Sequence, residues 1–257
     1  MDKTFYFTVD DTIRFLKELT ESDAVSIFEH PYPAMYRELH EKFGLKVQLN
    51  LFYEFSDFDL SMVSDRFKTE WEQNSDWLKL SFHSRLENEK PYISSGYDEV
   101  FSDCRDVHRE ILRFASEKNL ASTTTVHYCR ATDDGIRALY DNGVRGLLGL
   151  YGTPNAPRSS YQNTPDEDEM IRNGETVKRD GIVFSAIDIV MNLFGKDGIL
   201  EILEGLLGHS HIGAMIHEQY FYPDYPRYQK DFEEKISAAF DFLIENGFRS
   251  VFFEEII

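Results

Sequence analysis

The segment FYFTVDDTIRFLKEL, residues 5–19, passes from a strand pattern to a helix pattern through two adjacent carboxylates. Bulky apolar residues alternate with less apolar ones as far as Val9, which is typical of a strand, and apolar residues then recur at helical spacing. Asp11 suits the start of the helix, because an aspartate N-cap places negative charge at the positive end of the helix dipole. Asp10 belongs to the strand and to its less apolar face, so capping accounts for only one of the two carboxylates.

The rest of the chain repeats this alternation of strand and helix patterns. Further strands are predicted at Leu45–Glu54 and at residues 78–84, 122–129, 144–152, 181–190, 212–222 and 249–256. Helices are predicted between them at residues 26–43, 60–73, 100–114, 131–143, 197–208 and 231–245. Such an alternation over 257 residues favours a single α/β domain, residues 1–257, built as a (β/α) barrel of seven or eight strands. A doubly wound sheet stays open as the alternative, since no glycine-rich phosphate loop decides between the two.

The composition excludes several classes of protein. A formal net charge of −19 repels nucleic acid and anionic membrane surfaces, so we expect neither as a partner. The two cysteines form no C-x-x-C pair, and no apolar run reaches membrane-spanning length, so we expect a cytoplasmic protein without a disulfide framework. Residues 153–180, rich in Pro, Asn, Ser and Asp, predict an irregular lid or excursion over one end of the fold.

Polar residues gather at the predicted strand ends. In a (β/α) barrel the chemistry lies where strands run into the loops that follow them. Asp10 and Asp11 end the first strand, and His83, His127 and His217 lie near the ends of three others. We therefore expect these five side chains on one rim of the barrel, where a divalent cation would offset the cost of burying them together.

Two motifs resemble those of the NodB-like polysaccharide deacetylases, carbohydrate esterase family 4. Thr8-Val9-Asp10-Asp11 is similar to the family motif T-F-D-D at the end of the first strand. His83-Ser84-Arg85-Leu86-Glu87 half matches the motif H-[ST]-x-x-H, with a glutamate in place of the second histidine. A late strand that ends in a histidine, here His217, completes the resemblance. The resemblance implies that the chain folds as a distorted (β/α) barrel and that it is a divergent member of the family.

The resemblance also implies roles for these residues. Asp10 would be the general base, Asp11 and His83 would bind a divalent metal, and His217 would donate a proton to the leaving group. The metal is expected to be zinc, with iron, cobalt or nickel as alternatives. We expect the reaction to be hydrolysis of an N-acetyl or related acyl group of an amino sugar, on a small or nucleotide-linked sugar.

The third metal ligand and the substrate contacts are less well defined by sequence. Glu87 could ligate as a carboxylate, or His127 could supply the ligand from across the barrel mouth. The family's arginine motif after the fourth strand is not recognisable, although Arg130 lies nearby. Arg130, Glu218 and Tyr220 are the residues we expect to contact a carbohydrate.

Two other functions remain open at this point. One is a metal-free glycoside hydrolase that uses a carboxylate pair such as Asp10 and Glu218, which would need the two groups on either side of the bond to be cleaved. The other is a non-catalytic domain that binds a sugar or a partner protein through a group of aromatics, namely Tyr220, Phe221, Tyr222 and Tyr225. The sequence does not indicate an oligomeric state.

Overall fold

The structure, a computed structural model, describes residues 3–87, 92–152 and 160–257. Its strands are β1 (Lys3–Thr12), β2 (Val47–Phe55), β3 (Phe58–Asp59), β4 (Leu78–Leu86), β5 (Thr123–Thr124), β6 (Gly146–Gly149), β7 (Val177–Arg179), β8 (Ile182–Ala186), β9 (Ile189–Val190), β10 (His211–His217) and β11 (Phe248–Ser250). Its α-helices are α1 (Arg14–Glu21), α2 (Pro31–Phe43), α3 (Lys68–Gln73), α4 (Tyr97–Phe114), α5 (Asp133–Asp141), α6 (Pro165–Arg172), α7 (Lys196–Gly205) and α8 (Phe232–Glu245).

The strands form a distorted parallel barrel. β1 lies between β2 and β10, with β4 beyond β2 and β9 beyond β10, and all these pairings are parallel. A second parallel set, β5, β6 and β8, continues the wall. The backbone N–H of Ala121 donates to Leu80 at 2.9 Å, and that of Asp188 donates to Gly213 at 2.8 Å, which links the two sets at both edges. The prediction of a (β/α) barrel is confirmed, and the doubly wound alternative is wrong because the sheet closes on itself.

The alternation read in residues 5–10 corresponds to the two faces of β1. Phe5 and Phe7 point to the surrounding helices, and both rings lie 5.0 Å from that of Phe240 on α8. Burying such a ring stabilises the fold by about 1.5–3 kcal/mol. Tyr6 faces the barrel interior, where its hydroxyl donates to the carbonyl of Ala186 at 2.7 Å. Asp10, on the same face as Tyr6, therefore points inward at the end of the strand.

Several predicted strands are shorter than expected, among them the one at 144–152, of which only Gly146–Gly149 forms a strand. β5 covers only two of the residues predicted at 122–129, and a 3-10 turn, His127–Cys129, follows it. The strands predicted at 212–222 and 249–256 end at His217 and Ser250, and 3-10 turns follow there too. Each segment continues with apolar residues beyond the strand, so periodicity alone extends the strand too far.

The excursion after β6 is more regular than its composition suggests. Residues 153–159 lie outside the described residues. α6 follows, and its N-cap Thr164 forms a reciprocal capping box with Glu167. β7 then pairs antiparallel with β8. The function of this excursion as a lid stays a prediction. In the described ranges, no helix is both long enough and apolar enough to cross a bilayer.

Candidate active site

An irregularity at the end of β1 brings two adjacent carboxylates to the barrel mouth. The register between β1 and β2 shifts between Val9 and Thr12, and Asp11 has a left-handed backbone with a φ of 59°. Successive residues of a regular strand point to opposite faces, whereas a bulge changes the direction of one side chain. Asp10 and Asp11 can therefore both line one cavity, which holds them at the strand end as predicted.

Asp10 is buried inside the barrel and accepts a hydrogen bond from the Asn50 amide at 2.7 Å. Burial raises the pKa of Asp10 well above its usual range, and the charge of Asp11 adds to this, while the bond from Asn50 opposes it. Asn50 is in turn fixed by Gln48, whose amide nitrogen donates to the Asn50 side-chain oxygen at 2.8 Å. Asp10 thus has an oriented carboxyl group whose proton affinity is enhanced.

Three donor atoms converge beside Asp10. The Nε2 atom of His83 lies 3.1 Å from Oδ1 of Asp11 and 3.0 Å from Nδ1 of His127. Nδ1 of His127 lies 3.4 Å from the same Asp11 oxygen. Ligand atoms ~2.1 Å from a cation, at angles of ~90° to ~109°, are separated by roughly 3.0–3.4 Å. The triangle therefore has the dimensions of one face of a divalent-metal coordination shell.

The electrostatics of the cluster suit a cation. Burial by itself would raise the pKa of Asp11, but the neighbouring rings of His127, His83 and His217 hold that pKa well below its usual range. Burial lowers the pKa of His83, so the ring is neutral at physiological pH. An ionised carboxylate and a neutral imidazole are the forms that bind metals.

The surrounding groups hold these side chains in place. The Nδ1 atom of His83 donates to the carbonyl of Thr125, which leaves Nε2 for the cluster. The side-chain amide of Gln219 donates to Oδ2 of Asp11 at 2.8 Å, which leaves Oδ1 for the cluster. Such bonds from outside the ligand set orient metal ligands and tune their basicity.

Glu87 lies in the same cavity but outside this cluster. Its carboxyl group is half-buried, and burial raises its pKa, with the charge of Asp11 adding and that of His127 opposing. The three converging donors come from Asp11, His83 and His127. Of the two alternatives for the third ligand, the structure thus brings His127 into the cluster.

His217 also lines the cavity, directly beside Asp10 in the pairing of β1 with β10. Its Nδ1 atom is hydrogen-bonded to the side-chain oxygen of Asn192 at 2.8 Å. Because that oxygen is an acceptor, Nδ1 carries a proton and Nε2 is the basic nitrogen of the neutral ring. Burial lowers the pKa of His217, while the charge of Asp11 opposes this shift.

The cavity has a volume of about 330 Å³. Apolar side chains form part of its wall, namely Leu150, Val190, Leu193 and Met215. Three tyrosines also line it, namely Tyr128, Tyr220 and Tyr225. Tyr128 is 47% exposed and has a left-handed backbone with a φ of 60°, so the chain holds this ring at the mouth in a strained conformation.

Glu218 lies outside the cavity and serves the fold. Its carboxylate accepts the backbone N–H groups of Ile13, Arg14 and Phe15 at 2.7–2.9 Å, and the hydroxyl of Tyr222 at 2.8 Å. Burial raises the pKa of Glu218 to about 7, and these four donors oppose the rise. Both oxygens are thus used to cap α1, so the prediction that Glu218 contacts substrate is not supported by its position.

Three other residues that the sequence suggested for ligand contacts also lie away from the cavity. Arg130 is exposed and does not line it. The ring of Phe221 packs 5.1 Å from that of Tyr32, and Tyr222 is buried under Arg14. Tyr220, in contrast, lines the cavity, and its contact with a carbohydrate stays a prediction.

Sequence reasoning missed several of the residues that orient the site. Asn50 could have been found, because Gln48 and Asn50 are polar positions that alternate with apolar ones in the second strand. Asn192 and Gln219 carried no such signal. Both positions lie in 3-10 turns of three or four residues, which are too short for periodicity to indicate which way a side chain points.

Neither a protein-family model nor a curated protein matches this sequence. Solved structures do match its fold. A 4-alpha-glucanotransferase from Thermococcus litoralis superposes with a TM-score of 0.60 and 14% identity, over 99% of this chain and 40% of that one. This chain therefore spans well under half of the glucanotransferase.

Two deacetylases are similar over most of both chains. A peptidoglycan N-acetylglucosamine deacetylase superposes with a TM-score of 0.53 and 10% identity, over 99% of this chain and 87% of that one. A putative polysaccharide deacetylase from Mycobacterium smegmatis gives a TM-score of 0.56 and 9% identity, over 100% and 90% of the two chains. At such identities the likeness concerns the fold alone. The chain thus adopts the NodB-type (β/α) barrel fold of the polysaccharide deacetylases.

Proposed function

We propose that this protein is a metal-dependent hydrolase that removes an N-acetyl or related acyl group from an amino sugar. The observation that carries the proposal is the convergence of one carboxylate and two imidazoles, from Asp11, His83 and His127, beside a second buried carboxyl group. One oxygen and two nitrogen ligands suit zinc, and also iron, cobalt or nickel.

The residues around the cluster supply the remaining chemistry. A divalent cation held by the cluster would supply Lewis acidity, which polarises an acyl carbonyl. Asp10, oriented by Asn50, takes the proton of the attacking water, since its raised pKa makes it a stronger base than an exposed carboxylate. His217 takes up a proton from solvent on Nε2, the basic nitrogen of its neutral ring, and passes it to the departing amine, while Asp10 later returns the proton of the water to solvent. The lowered pKa of His217 favours this release.

The shape of the cavity supports a small acyl group on an uncharged sugar. Leu150, Val190 and Met215 provide an apolar wall for an acyl methyl group, and Tyr128 and Tyr220 offer rings for a sugar to stack on. Among the residues that the structure describes, no lysine or arginine lines the cavity. Of the two alternatives given by the sequence, a small N-acetylated sugar without phosphate therefore fits better than a nucleotide-linked sugar.

Metal content and acetate release test the proposal together. Wild-type protein and its variants are stripped with a chelator and resupplied with zinc. The variants are Asp11→Asn and His127→Ala, with Glu87→Gln as the matched control in the same cavity. Metal per chain is measured by elemental mass spectrometry, and acetate release from N-acetylglucosamine oligomers by an enzymatic assay. We expect about one metal per chain in wild type and Glu87→Gln, and loss of both metal and acetate release in the two ligand variants.

Asp10→Asn separates the metal from the chemistry. This variant should keep its metal and lose acetate release by roughly 10²–10⁴-fold, the contribution of a positioned general base. Wild type that binds no metal, or that releases acetate at full rate in the presence of chelator, would contradict the proposal.

A further inference from the structure

Tyr161 connects the excursion after β6 to the part of the barrel that carries two of the metal donors. Its side chain is 1% exposed, and its ring lies 5.8 Å from that of Phe184. The hydroxyl accepts the backbone N–H of Val126 at 3.2 Å and donates to the carbonyl of Leu148 at 2.8 Å. One hydroxyl group therefore ties the segment after β5 to the neighbouring strand, β6.

The segment that Tyr161 holds serves two donors at once. Thr125 accepts the hydrogen bond from His83 that directs Nε2 of that ring into the cluster. His127 supplies its own ring nitrogen to the cluster. Val126, which Tyr161 holds, lies between these two residues in the chain. A shift of this segment would therefore move both imidazoles relative to Asp11.

Strand pairing does not hold this segment. β5 ends at Thr124, and in the part of the chain that the structure describes its ladder with β6 extends no further. The two residues after His127, Tyr128 and Cys129, both have left-handed backbones with φ of 60° and 55°. A segment with such a strained turn keeps its conformation only when surrounding contacts determine it.

Tyr161 is itself firmly placed. Its backbone is left-handed with a φ of 55°, as is that of Gln162 with a φ of 52°. The Arg179 guanidinium donates to the carbonyl of Tyr161 at 2.8 Å. The hydroxyl of Ser160 also donates to the carbonyl of Leu150 at 2.9 Å, which fastens the preceding residue to the end of β6.

We propose that Tyr161 is a positioning residue for the metal site, acting on His127 and His83 through the backbone of residues 125–127. The proposal rests on the proposed function, because it assumes that these imidazoles bind a metal. It assigns the excursion a role in supporting the metal ligands, beyond that of a lid.

Tyr161→Phe tests the role, with Tyr6→Phe as the matched control. Tyr6 is also buried, and its hydroxyl also makes two hydrogen bonds, to Ser185 and Ala186 at 2.9 and 2.7 Å. It precedes Asp10 by four residues on β1, so it lies ~13 Å from the strand end. Both substitutions remove one bridging hydroxyl from the interior, but only Tyr161→Phe removes the one that holds Val126.

Zinc affinity is measured by competition with a chromogenic chelator, and the cobalt-substituted proteins are compared by visible absorption. We expect the zinc Kd to rise about 10-fold in Tyr161→Phe and to change less than 2-fold in Tyr6→Phe. A 10-fold rise is at the low end of the loss of metal affinity that follows when a residue supporting a metal ligand is replaced. The cobalt spectrum should change only in Tyr161→Phe. Urea unfolding of both variants checks that they lose similar stability.

The outcomes separate this proposal from the proposed function. Wild type that binds neither zinc nor cobalt would overturn both. Wild type and Tyr161→Phe with equal zinc Kd and equal cobalt spectra would overturn the positioning role alone. If Tyr161→Phe does not fold, Arg179→Gln is tested in its place, because it removes the guanidinium that donates to the Tyr161 carbonyl. An unchanged zinc Kd in that variant would overturn the positioning role.

Discussion

Replacing Glu218 with alanine tests whether this buried carboxylate supports the fold or takes part in the chemistry. The substitution removes the acceptor of three backbone N–H groups at the start of α1. Ile13 and Phe15 are 1% and 0% exposed, so water cannot replace the lost acceptor there. Each buried donor left unpaired costs about 1–3 kcal/mol, so these two give a loss of about 4 kcal/mol in the free energy of unfolding.

Urea denaturation at pH 7.5, followed by circular dichroism, measures this loss. For a chain of this size, a loss of about 4 kcal/mol lowers Tm by roughly 8–16 °C. Glu87→Ala is the matched control, because it removes a half-buried carboxylate that does not cap a helix, and we expect it to change stability by less than about 0.5 kcal/mol. A loss below about 1 kcal/mol in Glu218→Ala would refute the capping argument. Unchanged stability together with lost turnover would instead place Glu218 in the chemistry.

Two further predictions concern the cavity mouth and the response to acid. Tyr128→Ala removes one stacking ring, so it should raise KM for an N-acetylglucosamine oligomer by roughly 10-fold and change kcat less than 2-fold. Tyr128→Phe keeps the ring and should keep the wild-type KM. Equal KM in all three proteins would exclude stacking on Tyr128. Burial lowers the pKa of His108 to about 4. As pH falls, this histidine is therefore protonated near pH 6.5 in the unfolded chain but only near pH 4 in the folded chain. His108 should therefore lower stability progressively as pH drops from 7 to 4, so the urea midpoint of His108→Gln should rise relative to that of wild type over this range; a constant difference between the two midpoints would contradict this.

The sequence predicted the barrel because its strongest signals are periodic. The alternation in β1 is complete up to Val9, and the apolar residues of α4 recur at three and four residues. Gly44 ends α2 in a left-handed conformation, a common role of a glycine directly after a helix. The positions of Asp10, Asp11, His83 and His217 at the barrel mouth follow from these elements, since strand ends share one rim.

The site details escaped prediction because they depend on places where periodicity stops. His127 was placed at a strand end, but β5 stops at Thr124, and His127 lies in the 3-10 turn that follows. Glu218 follows the strand-end residue His217, and such a position suits substrate binding and helix capping equally well. Only the location of the α1 amides decides between these roles, and no local pattern encodes that contact between residues more than 200 positions apart.

The positions of the carboxylates also bear on the two alternative functions. The hypothesis of a metal-free glycoside hydrolase paired Asp10 with Glu218, but Glu218 lies outside the cavity and uses both of its oxygens on α1 and Tyr222. A non-catalytic binding domain gives no reason to bury Asp10 and raise its pKa, since a buried carboxyl group costs stability. Groups whose pKa is strongly shifted by burial are characteristic of active sites, where the shifted group takes part in the reaction. A metal held by Asp11 and two imidazoles, with Asp10 beside it as the base, accounts for both carboxylates that follow the first strand.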